Sequence, residues 1–309
     1  MAGNTNLHIA NKMKQDEFYT PYELIERELI HYKKHFKDKV VYLNCDNPYE
    51  SKFFKYFIDN FNEFQIKKLI TSYKPYREHE TPIMSVVTKV DDTKNVFEIE
   101  GNYTKEIETG DFRSDECIEL LKQCDLVVTN PPFSLFREFT ELLFKYNKKF
   151  LILGTINVVK YVNFFPHLIG KRVWLGKSIN GGDRKFYVPD EYIARKPESL
   201  GYDENGRFMR INSVRWWTNL DYENNIPFLE LTESYSPEKY PKYDNKNAIN
   251  VNRTKDIPHD YHGIMGVPIT WLDKFNSEQF DFVGINKRPI VGEKALYTRL
   301  LIKHKTFTI

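Results

Sequence analysis

Between Tyr22 and Phe36 apolar side chains return at helical spacing among charged ones, which predicts a helix. Val40 to Leu43 is a short apolar run closed by the polar turn Asn44-Cys45-Asp46-Asn47-Pro48, the pattern of a buried strand. Helical spacing resumes from Ser51 to Phe61, so the chain starts as strand, turn and helix. Ile66 to Thr71 suits a second strand, and Met84 to Val90 with Val96 to Glu100 predicts a hairpin inserted before the sheet resumes. Ser114 caps a helix running to about Gln123, and the β-branched run Asp125 to Thr129 stops at Asn130-Pro131-Pro132-Phe133. A helix from Leu135 to Tyr146 and a strand from Phe150 to Gly154 follow. Strands alternating with helices predict an open α/β sheet with helices on both faces. Beyond residue 165 the alternation fades, and Gly181-Gly182 and Ser234 to Asn250 have the composition of loops. The expected organisation is therefore a first domain over 1–165 and a second region over 166–309.

Composition narrows the class without deciding it. A chain of 309 residues with 41% hydrophobic side chains has enough apolar material for one large core or two modest ones. Neither a run of about 18 apolar residues nor a charged-then-apolar leader is found, so the expected compartment is the cytoplasm. Cys45, Cys117 and Cys124 lack the short paired spacing of a zinc or redox site, which predicts reduced thiols and no structural metal. A formal charge of +2 neither requires nor excludes nucleic acid, so any basic surface must come from local segregation. Neither a phosphate-binding GxxxxGK loop nor a GxGxxG fingerprint is present, which leaves kinase, NTPase and dehydrogenase readings without an anchor.

The most informative element is Asn130-Pro131-Pro132-Phe133, directly after a strand. Ligands of open α/β sheets bind outside the carboxyl ends of the strands, where this tetrapeptide is expected. An adenine amine is a poor nucleophile because its lone pair is delocalised into the ring. Accepting hydrogen bonds from its hydrogens localises that pair, and the Asn130 side-chain carbonyl and the Pro131 backbone carbonyl are both acceptors. Two prolines in series fix φ and remove two donors, giving a rigid turn, and the Phe133 ring is suited to stacking on an extruded base. Direct attack on a sulfonium methyl then needs no covalent enzyme intermediate.

With Phe18-Tyr19-Thr20-Pro21, Cys45-Asp46-Asn47-Pro48, Gly110-Asp111-Phe112-Arg113-Ser114 and Met265-Gly266-Val267-Pro268-Ile269-Thr270 in the same order, the chain resembles the EcoRI-type adenine-specific DNA methyltransferases over about residues 10 to 302. These are amino-methyltransferases, and the order of motifs looks like their gamma arrangement. The resemblance implies a Rossmann-like methyltransferase sheet with a C-terminal target-recognition region, S-adenosylmethionine as cofactor, and double-stranded DNA as substrate. A cognate restriction endonuclease is an implied partner, and a monomer the expected state. It further implies that Asn130, Pro131, Pro132 and Phe133 are catalytic. Tyr19, Thr20 and Pro21 would line the methionine end of the cofactor, Asp46 would pair with its amino group, and Asp111 and Phe112 would hold its adenine, with Asn130 also at the cofactor.

Two departures and several weaker signals accompany this. The turn Asn44 to Pro48 has no glycine where most methyltransferases let the backbone approach the cofactor, and the second strand ends at Thr71-Ser72-Tyr73 without a ribose-binding carboxylate. Lys171, Arg172, Lys177, Arg184, Lys185, Arg207, Arg210 and Arg215, beside Trp174, Phe186, Trp216 and Trp217, form the candidate DNA-contacting set. His31 with His35 reads as a solvated helix face, and His259-Asp260-Tyr261-His262 as a loop, rather than as metal ligands. The rival functions are a methyltransferase of RNA adenine or protein glutamine, which share the Asn-Pro-Pro-aromatic motif, and a catalytically inactive DNA-binding homologue.

Overall fold

The computed structural model describes residues 19–75, 79–178, 184–188, 192, 200–223 and 226–305. Phe18, Gly181 and Gly182 of the sequence reading lie outside them. The chain divides into two compact units, one of residues 1–155 and 176–222 and the other of 156–175 and 223–309. A single boundary near residue 165 is therefore replaced by an interleaved division, in which the chain leaves the first unit after Thr155 and returns at Gly176.

The helical spacing after Pro21 gives α1 (Tyr22–Leu29), which tightens into a 3₁₀ turn over Ile30–His35. β1 (Val40–Asn44) leads through the polar turn to α2 (Lys52–Asp59), and β2 is Lys68–Tyr73. β3 (Ile83–Val87) and β4 (Tyr103–Glu106) form the antiparallel insertion. α3 (Asp115–Gln123), β5 (Leu126–Thr129), α4 (Phe136–Lys145) and β6 (Lys149–Thr155) complete the alternating part. After β7 (Trp174–Leu175), the chain adds β8 (Lys185–Tyr187), β9 (Leu200–Asp203), β10 (Gly206–Arg210) and β11 (Val214–Thr218).

In the first unit the strands of the large sheet lie in the order β4-β3-β2-β1-β5-β6-β11. The four central strands β2, β1, β5 and β6 run parallel, while β3, β4 and β11 are antiparallel to their neighbours. Strands buried on both faces explain the unbroken apolar runs. Val41, Leu43, Leu126, Val128, Leu151 and Leu153 join one core with Ile25 and Leu29 of α1 and Phe53 and Phe57 of α2. On the opposite face, the Phe144 ring of α4 meets Phe150 of β6 edge to face. The sheet is thus a mixed one with flanking helices. β8, β10 and β9 form a separate three-stranded antiparallel sheet.

The predicted hairpin is half right. Val96–Glu98 is a 3₁₀ turn, not a strand, and the second strand of the insertion is β4. The apolar residues there face the core instead of a strand partner: Phe97 stacks on Phe54 with ring centroids 5.8 Å apart. Asn102 holds the turn, donating to the carbonyls of Lys89 at 2.7 Å and Val96 at 2.8 Å while accepting from the Thr88 amide.

The second unit has its own sheet, ordered β12-β13-β14-β18-β15, in which β12 is Lys242–Tyr243, β13 Lys246–Asn250, β14 Met265–Pro268, β15 Phe280–Asn286 and β18 Arg299–His304. A small hairpin of β16 (Ile290–Val291) and β17 (Lys294–Ala295) lies between β15 and β18 in sequence. The expectation of a loop throughout Ser234 to Asn250 fails from Lys242 onward, because Ala248, Ile249 and Asn250 are buried in β13. Trp271 packs on Phe275, Phe280 and Phe282, and Phe165 of the short α5 (Phe165–Ile169) meets Phe282 at 5.6 Å, which ties residues 156–175 to this unit. Among the described residues no helix is long and apolar enough to cross a membrane.

Candidate active site

β1 connects outward to β2, whereas the chain returns to the other side of β1 to make β5. Such a reversal of strand order opens a crevice at the carboxyl ends of the two strands. Asp46 and Asn130 stand at those two ends. Asp46 is buried, its Oδ1 accepting from the Ser51 hydroxyl at 2.6 Å and its Oδ2 from the Thr129 hydroxyl at 2.7 Å. The Ser51 oxygen also accepts from the amides of Phe53 and Phe54 as the cap of α2, so one serine ties the carboxylate to the helix start. Burial raises the Asp46 carboxyl to about 6, against the lowering effect of the two hydroxyls. No cation among the described residues is bonded to it.

The turn holding Asp46 contains no glycine. Cys45 has φ of 136°, a conformation rarely taken by side-chain-bearing residues. Both Cys45 and Asp46 amides point at the Ser72 carbonyl, at 3.0 and 3.1 Å. These two bonds pin the turn to the end of β2.

Asn130 leaves β5 with its Nδ2 donating to the Thr20 hydroxyl at 3.2 Å, which brings the N-terminal motif and the Asn130-Pro131-Pro132-Phe133 motif together. Thr20 is buried, and Pro21 starts α1 by accepting from Leu24 and Ile25. Tyr19 exchanges two backbone hydrogen bonds with Tyr187 of β8, at 2.8 and 3.0 Å. Pro131 is buried; Pro132, in extended conformation, accepts from the Leu135 amide and so launches the turn into α4. Phe133 is only partly buried against the core beneath it.

Asp111 and Phe112 sit in a different arrangement. Gly110 takes φ of 63°, and a Cβ there would lie 2.1 Å from the Tyr73 carbonyl oxygen, so only glycine lets this turn touch the end of β2. The Asp111 carboxylate accepts the Arg113 amide and Nε on one oxygen, and Lys74 Nζ and Arg113 Nη2 on the other. Those hydrogen bonds, Arg113 above all, hold its pKa well below the usual carboxylate range. All four acceptor positions of a carboxylate are filled. Phe112 is buried, edge to face with Phe139 at 5.1 Å and under the Arg113 guanidinium.

Comparison with known proteins bears on this constellation directly. A family model described as adenine-specific methyltransferase EcoRI matches residues 6–306. The chain is similar to the Type II methyltransferase M.EcoRI of Escherichia coli, with 46% identity over 98% of each chain. It is also similar to the Type II methyltransferases M.MgeORF184P of Mycoplasma genitalium, 38% identical, and M.MpnI of Mycoplasma pneumoniae, 34% identical, each over 95% of this chain and 90% of the relative. The chain belongs to the EcoRI family of adenine-specific methyltransferases. No solved structure matches it.

Within this methyltransferase, sequence reasoning missed Ser51 and Thr129, the two hydroxyls that hold Asp46. Their signals were present: Ser51 precedes a helical run, and Thr129 is the last strand residue before the motif. Glu28 was also missed. It is fully buried on α1 and accepts from the amides of Lys177 at 2.8 Å and Ser178 at 2.6 Å, anchoring the chain where it re-enters the first unit. The candidate DNA-contacting set needs correction. Arg184, Arg215, Phe186, Trp216 and Trp217 are buried, the two arginines donating to the Asn212 carbonyl, so these five build the interior. Lys171, Arg172, Lys185 and Arg210 of that set are exposed, the first two belonging to the second unit.

Proposed function

We propose that this chain is a site-specific DNA methyltransferase that moves a methyl group from S-adenosylmethionine to the 6-amino group of an adenine flipped out of double-stranded DNA. The reading rests on a buried carboxylate, Asp46, that two hydroxyls hold among the described residues, with the Asn130 amide at the end of the adjacent strand. An ionised carboxylate in such surroundings suits a cation that arrives with a ligand, and the α-amino group of S-adenosylmethionine is one. Tyr19, Thr20 and Pro21 line the methionine end in this reading. Asp111 and Phe112 hold the adenine end, and Asp111 accepts a new donor there by releasing Lys74, its most exposed partner.

When bound, S-adenosylmethionine supplies an electrophilic methyl on a positively charged sulfur. The chain's own task is to make the target amine nucleophilic and to hold it. The Asn130 and Pro131 carbonyls accept its two hydrogens, Pro131 and Pro132 keep that pair rigid, and the partly exposed Phe133 ring stacks on the flipped base. Flipping costs a few kcal/mol, and phosphate contacts from exposed cations such as Lys185 and Arg210 offset it. The second unit serves target recognition. The Type II names of the relatives support DNA as substrate and a restriction endonuclease as the partner activity. In this reading the enzyme works as a monomer in the cytoplasm.

The test is transfer of labelled methyl from S-adenosylmethionine to duplex DNA, with the modified base identified by digestion and mass spectrometry. The proposal expects 6-methylated adenine at one sequence. Label found on RNA or on protein glutamine, with duplex DNA unlabelled, overturns it.

A further inference from the structure

The side-chain amide of Asn130 is nearly symmetric in shape and opposite in chemistry at its two ends. Turned by half a rotation, it would offer NH₂ to the hydrogens of a target amine, which is repulsive, instead of the oxygen that activates it. The flanking backbone is fixed by β5 on one side and two prolines on the other, so the side-chain torsions are the freedom that remains. Thr20 closes it: its hydroxyl oxygen takes the Nδ2 donor at 3.2 Å.

We infer that Thr20 is a positioning residue for methyl transfer, holding the donor end of the Asn130 amide so that the acceptor end serves the target amine. The inference rests on the reading of Asn130 proposed above and assigns Thr20 a task distinct from lining the cofactor. Thr20 is itself braced from both sides. Its predecessor Tyr19 is paired in both directions with Tyr187, at 2.8 and 3.0 Å, and its successor Pro21 begins α1. α1 is in turn held by Glu28, which binds the Lys177 and Ser178 amides on the stretch that leads toward β8. The threonine is buried, and β-branching stiffens its χ1. The motif thus presents one oxygen at a fixed place, and a residue of the same shape without that oxygen cannot replace it.

The experiment is single-turnover methyl transfer to duplex DNA at saturating S-adenosylmethionine, with cofactor affinity measured separately by calorimetry, for wild type, Thr20→Val, Thr20→Ala and Thr20→Ser. Valine keeps the shape, alanine removes the same acceptor without adding a methyl group should valine fail to fold, and serine keeps the hydroxyl. The expected result is a drop of about 100-fold in the transfer rate for the variants without the acceptor, the scale of a small misplacement of a reacting group. Because Thr20 also lines the methionine end, some weakening of cofactor binding is compatible with the inference, but the drop is expected to persist at saturating cofactor, with serine restoring most of the rate. Transfer by Thr20→Val or Thr20→Ala at the wild-type rate overturns the inference alone, as does a loss that appears as weaker cofactor binding and vanishes at saturation. Absence of transfer by the wild type overturns the proposed function and this inference with it.

Discussion

Thr129 donates to Asp46 at 2.7 Å across the break in strand order between β1 and β5, joining the ends of the two strands that carry the candidate cofactor and catalytic residues. A hydrogen bond that favours the ionised carboxylate, set in a buried place that disfavours it, leaves Asp46 titrating at about 6. A cationic ligand group needs the ionised form.

Cofactor affinity is therefore expected to fall as pH drops from about 7 through about 6. Asp46→Asn is expected to weaken binding by at least about tenfold at pH 8, the scale of one lost charge-assisted hydrogen bond, and to flatten that pH dependence. Calorimetry between pH 5 and 8 reads both. The folded-state pKa lies above the unfolded one, so the contribution of Asp46 to stability is full below the unfolded value near 3.8 and is lost as pH rises through about 6. At pH 8, then, Asp46→Asn melts no lower than the wild type, separating a binding role from a structural one.

Cys45 at φ of 136° carries backbone strain that a glycine would not. Cys45→Gly is expected to leave the melting temperature unchanged or higher, since strain relief of about 1–3 kcal/mol exceeds the added chain entropy. Cys45→Val, β-branched at the same φ, is expected to lower it. Thermal denaturation of the two variants beside the wild type checks the pair.

Gly110 offers the opposite case. Gly110→Ala places a Cβ 2.1 Å from the Tyr73 carbonyl oxygen at φ of 63° and must push the Asp111 turn away from β2. A destabilisation of about 2–3 kcal/mol is expected, by analogy with overpacking in a fixed backbone contact, together with weaker cofactor binding. Urea unfolding gives the first and calorimetry the second.

The saturation of Asp111 yields a further expectation. Lys74→Met frees one acceptor position while Arg113 keeps the other three, so cofactor binding is expected to hold or tighten; a fall of tenfold or more would show that Lys74 itself contacts the cofactor.

Much of the alternating sheet was legible because buried parallel strands must be apolar throughout: β1, β5 and β6 lie within a residue or two of the runs Val40–Leu43, Asp125–Thr129 and Phe150–Gly154. The insertion was misread where Val96 and Phe97 share a strand's composition yet dock on the core through Phe54. Loop composition hid β12 and β13, whose exposed positions are Lys242, Lys246 and Asn247. The motifs announced Asp46, Thr20 and Asn130. That Ser51 and Thr129 hold the first, and that the second and third touch, depends on strand order and loop register, which no local pattern carries. The basic cluster misled because charge in a sequence window does not say which side chains face inward, and Arg184 and Arg215 do.

In the proposed function Asn130 activates the target amine. The most direct measurement is single-turnover methyl transfer to duplex DNA by Asn130→Ala, with cofactor affinity determined on the same preparation. A loss of at least about 1,000-fold in rate, of the order seen when a preorganised acceptor or donor is removed, with cofactor affinity within a few-fold of wild type, is the result expected. Near-normal turnover would remove Asn130 from that role.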